Sequence, residues 1–306
     1  MRTHRLLSAI AGIALALFPA PPRPAAAAGA APPRPLFLWR VTGAKGTVFL
    51  LGSIHAATAD FYPLPRPIEK DFRKSSVLVE EIDLNRQDPA ALRRLMLARG
   101  LYPPGDSLDH HISAETRRAL QRYLQRSGQN PALFARMKPW LAAVLISGST
   151  IAAGGISGKY GIDAHFAQEA AALHKPIEAL EGARFQLDLL SHLPERLQEA
   201  MLLSSLRAVQ SATREVETLL AAWRAGDARR IARMIAHEER RYPLLKPLYD
   251  ELLPDRNRAM AKRIAAYLDT PKTYFVVVGV GHLIGDRGIV ALLRADHDKV
   301  ERIDAR

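Results

Sequence analysis

Two apolar runs, Val48-Phe49-Leu50-Leu51 and Phe275-Val276-Val277-Val278, have no polar face, and each stops at a glycine, Gly52 or Gly279. A short run without alternation predicts a strand buried on both sides, as in a sheet covered by helices. Ser76-Val77-Leu78-Val79 predicts another, which runs into Glu80-Glu81-Ile82-Asp83, and residues 175–180 predict a weaker one ending at Glu181 and Gly182. Residues 36–41 and 47–51, joined through Thr42-Gly43-Ala44-Lys45-Gly46, predict an opening hairpin. Residues 299–303 alternate sides, as an edge strand does.

Between these runs the pattern is helical. Residues 65–75 predict a short helix. Ser113 caps a segment with Leu120, Tyr123 and Leu124 on one face, and Gly128 stops it. Residues 140–151 are apolar nearly all round and predict a buried helix. Small residues crowd positions 147–161, which read as a close-packed or mobile connection. Residues 161–174 predict a helix with Asp163 in its first turn. Asp227 caps another, with a stripe of Ile231, Met234 and Ile235, and Arg229, Arg230 and Arg233 on a solvated face.

Strands separated by helices require crossovers. The fold class is therefore α/β, with a mixed, largely parallel central sheet flanked by helices. The helical stretches 87–174 and 183–270 exceed what one crossover needs, and predict a helical cap over the strand ends. No pattern marks a second core.

The first residues read differently. Arg2, His4 and Arg5 precede thirteen apolar residues, 6–18, and Ala25 to Ala28 offer small-residue cleavage sites, so residues 1–28 are expected to be a signal peptide. A Pro/Ala-rich linker, 29–35, follows, then a single α/β domain over 36–306. The expected location is the periplasm or the exterior. Without cysteine there is neither a disulfide nor a lipoprotein anchor. The net charge of +12 suits an anionic envelope surface or simply solubility. Export argues against nucleic acid as a partner. Oligomeric state is not readable.

Ligands of open α/β sheets sit beyond the carboxyl ends of the strands. Three such ends here carry chemistry: Gly52-Ser53-Ile54-His55, Glu80-Glu81-Ile82-Asp83 and Gly279-Val280-Gly281-His282. If these strands are parallel neighbours, two imidazoles and at least one carboxylate meet at one rim. A glycine lets the chain leave a strand at positive φ or lets another backbone come close. Two imidazoles and a carboxylate match a catalytic zinc site and also suit manganese or cobalt. Without metal, a His–Glu pair can itself deprotonate water or a hydroxyl. Glu80 and Glu81 point to opposite faces by alternation, so one is expected in the site and the other solvated or paired with a lysine or arginine.

Several separated segments resemble the TraB/GumN family in order. They are Leu38-Trp39-Arg40-Val41, Leu51-Gly52-Ser53-Ile54-His55, Phe61-Tyr62-Pro63-Leu64-Pro65, Val79-Glu80-Glu81-Ile82-Asp83, Gly161-Ile162-Asp163, Ala179-Leu180-Glu181, Asp255-Arg256-Asn257, Val277 to Leu283, and Val300-Glu301-Arg302. That family is related to the Tiki metalloproteases, which use manganese or cobalt, and more distantly to erythromycin esterases and ChaN-like haem-binding proteins. The resemblance implies a metal site of His55, Glu81 and His282, with Arg256 binding substrate or an oxyanion. Asn257, Asp163, Glu181 and Asp83 are implied as residues that touch substrate or support the ligands.

The resulting expectation is a metal-dependent, peptidase-type hydrolase with manganese, cobalt or zinc, no nucleotide cofactor, and a peptide or small acyl substrate. Two alternatives use the same residues: a periplasmic protein that binds a ligand or peptide without turnover, and a metal-independent esterase-like enzyme with His55 as base. Asp109-His110-His111 lacks an evident third ligand, and His165, His174, His192 and His237 read as packing or surface residues. The chain has no H-E-x-x-H, no G-x-S-x-G and no phosphate-binding glycine loop.

Overall fold

A computed structural model of the chain describes residues 34–83, 88–296 and 299–305. The expected leader and most of the expected linker lie outside these residues. In order, the elements are β1 (Arg34–Thr42), β2 (Thr47–Ser53), α1 (Arg66–Lys74), β3 (Val77–Glu80), α2 (Pro89–Gly100), α3 (Ala114–Ser127), α4 (Pro131–Phe134), α5 (Pro139–Ala153) and α6 (Ile162–Ala172). They continue with β4 (Ile177–Ala179), α7 (Ala183–Ser191), α8 (Glu195–Ala208), α9 (Ala212–Arg224), α10 (Ala228–Arg241) and α11 (Lys246–Asp250). A π-helical turn, Glu251–Asp255, leads into α12 (Arg256–Tyr267), then β5 (Thr273–Gly279), α13 (Val280–Leu283), α14 (Ile289–Ala295) and β6 (Lys299–Ala305).

The six strands form one mixed sheet in the order β4-β3-β5-β2-β1-β6. The four from β4 to β2 are parallel, and β1 and β6 add antiparallel pairs at one side. β1 starts at Arg34, opposite Ala305, so the last two residues of the expected linker, Arg34 and Pro35, are strand. The strand expected over 175–180 is shorter, Ile177–Ala179, and lies at the edge beyond β3. β2 and β5 are buried over nearly their whole length, as runs without a polar face require. The helix caps are as the sequence suggests. Ser113 accepts from the Thr116 N–H, Asp227 from the Arg230 N–H, and Gly128 takes φ 66° at the end of α3. The first part of the small-residue stretch, 147–153, is helix, as α5 runs on to Ala153, and the rest is turn and a 3-10 turn.

Buried apolar side chains form two clusters. The larger joins the central strands to α1, α6, α9, α12 and α14. The second lies among cap helices and includes Leu120, Trp140, Leu190, Met201, Leu202 and Leu248. The sequence shows one component of this cluster, the apolar α5, but not the stripes on the other helices that fold onto it. Its practical effect is to place α7 and the π-helical turn against the carboxyl ends of the parallel strands.

Candidate functional site

β2, β5 and β3 are adjacent and parallel, with Ser53 level with Gly279 and Glu80 level with Val277. The tetrads and the carboxylates therefore leave the sheet at one rim. Glu81 is the centre of the cluster. Its Oε1 accepts the Gly279 N–H at 2.7 Å, and lies 3.8 Å from His55 Nε2 and 3.7 Å from His282 Nε2. Its Oε2 accepts from Arg256 at 2.6 Å and from the Gln186 amide at 3.3 Å.

Each imidazole is held from behind. His55 Nδ1 is 2.9 Å from Asp163 Oδ2, and the other Asp163 oxygen accepts from the Ser53 hydroxyl at 2.7 Å. His282 Nδ1 is 2.6 Å from Asn257 Oδ1, while the Asn257 amide donates to the Arg287 carbonyl at 2.8 Å. Because that amide is committed to a carbonyl, Asn257 must present its oxygen to His282. Both rings thus carry their proton on Nδ1 and turn Nε2 toward Glu81. The His55 side chain is 29 % exposed and that of His282 only 6 %. A ligand reaches the pair from the His55 side.

The glycines serve close approach. Neither Gly52 nor Gly279 has positive φ, contrary to one of the two roles expected of them. A Cβ on Gly279 would stand 3.1 Å from His55 Nε2 and 3.3 Å from Glu81 Oε1, inside the space the three side chains share. A Cβ on Gly52 would press on Val280 instead, at 3.1 Å. At Gly161 a Cβ would fall 2.3 Å from the His55 carbonyl oxygen, so this glycine lets the start of α6 abut the first tetrad and brings in Asp163.

The partners set the charge of each ring. Burial lowers the proton affinity of His55, but the Asp163 carboxylate, helped by Glu81, outweighs it and pushes its pKa up to about 9. His282 is enclosed, and burial lowers it to about 4. Burial also penalises the Glu81 charge, yet His282, Arg256, His55 and the Gly279 N–H together hold that carboxyl far below the usual range. Glu80 goes the other way. Burial, with Asp163 and Asp83 nearby, raises it to about 9, so it is protonated at neutral pH. The expected solvated or Lys/Arg-paired neighbour is thus a buried neutral acid only 4 % exposed.

Arg256 differs from its expected role as well. Its Nε donates to both Glu181 oxygens, one terminal nitrogen to Glu81 and Glu181, and the other to the Leu252 carbonyl. A guanidinium engaged on this many acceptors steadies two carboxylates and is not presented to an oxyanion. Glu181 reaches it because its backbone N–H pairs with the Glu81 carbonyl, extending the β3–β4 ladder by one step. The π-helical turn before α12 sets the next two residues apart by function, Arg256 toward the carboxylates and Asn257 toward His282. Asp83 is buried beside Glu80. Gln186, which bridges Glu81 and Glu181, carries no sequence signal; Ser53 was visible only as a member of the first tetrad.

A divalent ion would take the two Nε2 atoms and Glu81. Atoms bound to one tetrahedral ion at about 2.1 Å lie roughly 3.4 Å apart, against 3.7 and 3.8 Å here. The donor types, the fixed tautomers and the cleared space at Gly279 fit such an ion. The side chains as placed stand slightly too far apart to enclose one, and among the described residues no group of three His, Asp or Glu side chains forms a ready cage.

Asp109-His110-His111 is organised differently. Asp106 accepts from both histidines, His111 Nδ1 lies 3.2 Å from Glu195, and the His111 ring stacks on Tyr102 at 4.0 Å. Both nitrogens of His111 are consumed within the cap.

Comparison with known proteins adds relatives on both sides of this geometry. The chain is 28% identical over 245 residues to YbaP of Escherichia coli (strain K12), across 80% of this chain and 87% of that one. It is 25% identical to the metalloprotease TIKI2 of Danio rerio, across 87% of this chain and 60% of that protein, and 24% identical to TIKI1 of the same fish, across 88% and 63%. No solved structure matches. The family model for TraB/PrgY/gumN matches residues 37–302, a span that contains every residue of the site, and the chain belongs to that family.

Proposed function

We propose that the chain is an exported, metal-dependent hydrolase of peptidase type, acting on a peptide or a small acyl substrate outside the cytoplasm. The observation that carries this reading is the pair of imidazoles, each fixed at Nδ1 by an acceptor and each facing the same Glu81 oxygen with Nε2. Metal-binding histidines need this support, since the outer partner sets tautomer and ring orientation. The metalloprotease names of the fish relatives support it in kind.

His55, His282 and Glu81 would hold the ion. Manganese, cobalt and zinc all suit a set of two imidazoles and one carboxylate, and such an ion lowers the pKa of water and polarises a carbonyl. The chain supplies the rest. Asp163 and Asn257 orient the rings, Arg256 and Gln186 pin the far oxygen of Glu81, and Gly279 keeps the shared space open. In the metal-independent alternative His55 must be neutral, although Asp163 favours its protonated form near neutral pH; a metal ligand must lose the same proton, so activity after chelation separates the two.

Elemental analysis of the purified protein, paired with peptide hydrolysis before and after chelation, tests the proposal. Bound manganese, cobalt or zinc that disappears in His55→Ala, together with hydrolysis restored by that metal, is the expected result. No metal response and unaltered behaviour of His282→Ala would sink it. A peptide recovered intact after long incubation with the loaded protein would leave a binding protein on the same fold.

A further inference from the structure

Helix α10 turns Ile231, Met234 and Glu238 inward and exposes Arg229, Arg230, Arg233 and Arg240. At about 100° per residue, positions 229, 233 and 240 fall within a strip roughly 40° wide that rises about 16 Å along the helix, and Arg230 stands about 60° to one side of it. No acid lies within the strip itself: Asp227 is committed to the N-cap, Glu238 faces inward, and the half-buried Glu239 stands about 80° from Arg229 on the other flank. Among the described residues no side chain of these four arginines has a hydrogen-bond or ion-pair partner. Arg40, Arg207, Arg258 and Arg287 each meet a carboxylate, whereas Arg118, Arg122 and Arg126 on the exposed face of α3 have none among the described residues and form a second basic row, farther from the tetrads in the chain.

Arg229 and Arg233, four residues apart, repel one another, and no described acid offsets this. An external anion does. Just beyond the C-terminus of α10, Leu244 is 47 % exposed. A row of solvent-facing basic side chains is what the anionic headgroups of a lipid surface attract. A single-stranded nucleic acid would ask instead for aromatic platforms between the basic residues, and the outer face of α10 has none.

We propose that the arginine face of α10 docks the protein on an anionic phospholipid bilayer. The opposite face of this helix packs on α13, where Ile235 Cδ1 lies 3.4 Å from the position of a Cβ on Gly281. The docked surface is therefore about one helix diameter, roughly 10 Å, from the tetrad that carries His282. Docking places the site beside the membrane and favours substrates held there. It stands independently of whether the site hydrolyses anything.

The test is co-sedimentation of the purified protein with vesicles of equal parts phosphatidylglycerol and phosphatidylcholine, and with phosphatidylcholine alone. The variant is Arg229→Gln/Arg230→Gln/Arg233→Gln. Its control, Arg118→Gln/Arg122→Gln/Arg126→Gln, removes the same charge from the exposed face of α3. Thermal unfolding confirms that both variants stay folded. Binding to the anionic vesicles only, weakened on the order of 100-fold in the α10 variant and much less in the control, is expected. Equal loss in both variants would reduce the effect to net charge and overturn the proposal. So would equal binding to neutral vesicles, or binding to soluble inorganic polyphosphate as tight as to the anionic ones.

Discussion

The two Gly-x-x-His tetrads leave neighbouring parallel strands at the same level, yet their histidines end in opposite states. His55 rests on a carboxylate, is partly open and keeps its proton to about 9; His282 rests on an amide oxygen, is enclosed and stays neutral to about 4. The difference comes from the outer partner and from burial, since the motif is shared. It also separates their tasks. The neutral, enclosed ring is ready to donate a lone pair, whereas the open one must give up a proton before it can.

The largest expected effect removes what the two tetrads share. Glu81→Ala is expected to lower metal affinity on the order of 1,000-fold, more than the 10–100-fold typical of an outer partner. It should also destabilise the fold by about 3 kcal/mol, because Arg256 would be left with Glu181 alone. Titration calorimetry and denaturant midpoints read the two quantities. Wild-type metal affinity in this variant would remove Glu81 from the centre of the site.

Exchanging the partners tests the contrast itself. Asp163→Asn gives both histidines an amide, and is expected to weaken metal binding by about 10–100-fold while lowering the proton affinity of His55, read by NMR titration of the metal-free protein. Asn257→Ala removes the oxygen that fixes the His282 tautomer and should cost a similar factor, without moving His55 much. If Asp163→Asn leaves His55 unchanged, the asymmetry between the tetrads is not electrostatic.

The motif glycines sharpen the comparison further. Gly279→Ala puts a methyl group 3.1 Å from His55 Nε2, where no ion or water could then sit beside it. Metal affinity should fall about tenfold or more with little change in unfolding, as expected when a site rather than a core is obstructed. Gly52→Ala meets the Val280 side chain and backbone, so it should cost about 1–3 kcal/mol of stability and leave metal affinity nearly intact. The reverse pattern would contradict the roles given to the two positions.

How much of this was legible depends on range. The buried strands, with Gly52 and Gly279 ending two of them, and the caps at Ser113 and Asp227 follow from local patterning, which strand and helix periodicity writes directly into the chain. That β2, β5 and β3 are neighbours, bringing Gly52, Glu81 and Gly279 to one rim, comes from long-range pairing. The family resemblance selected Glu81 over Glu80. It did not convey that Glu80 is a buried neutral acid, because a proton affinity depends on Asp163 and Asp83, brought close only by folding. Arg256 was visible as a site residue but not as a clamp on two carboxylates, since Glu181 reaches it through the β3–β4 ladder. Gln186 was invisible for the same reason.

The smallest expected effect concerns the third histidine group, His110 and His111, as a foil to the tetrads. Asp106 accepts from both rings, and the hydrogen bond to it raises His111 above the ordinary histidine value. A raised folded-state pKa contributes stability that is fully present below about 6.5 and is lost as the pH rises through the folded value. His111→Ala should therefore lower the unfolding midpoint slightly more at pH 6 than at pH 8, where loss of the stack on Tyr102 remains the main cost. Metal affinity should not change, because both nitrogens of His111 already face carboxylates within the cap. A measurable fall in metal affinity would make this cluster a second ligand source and end its use as the foil.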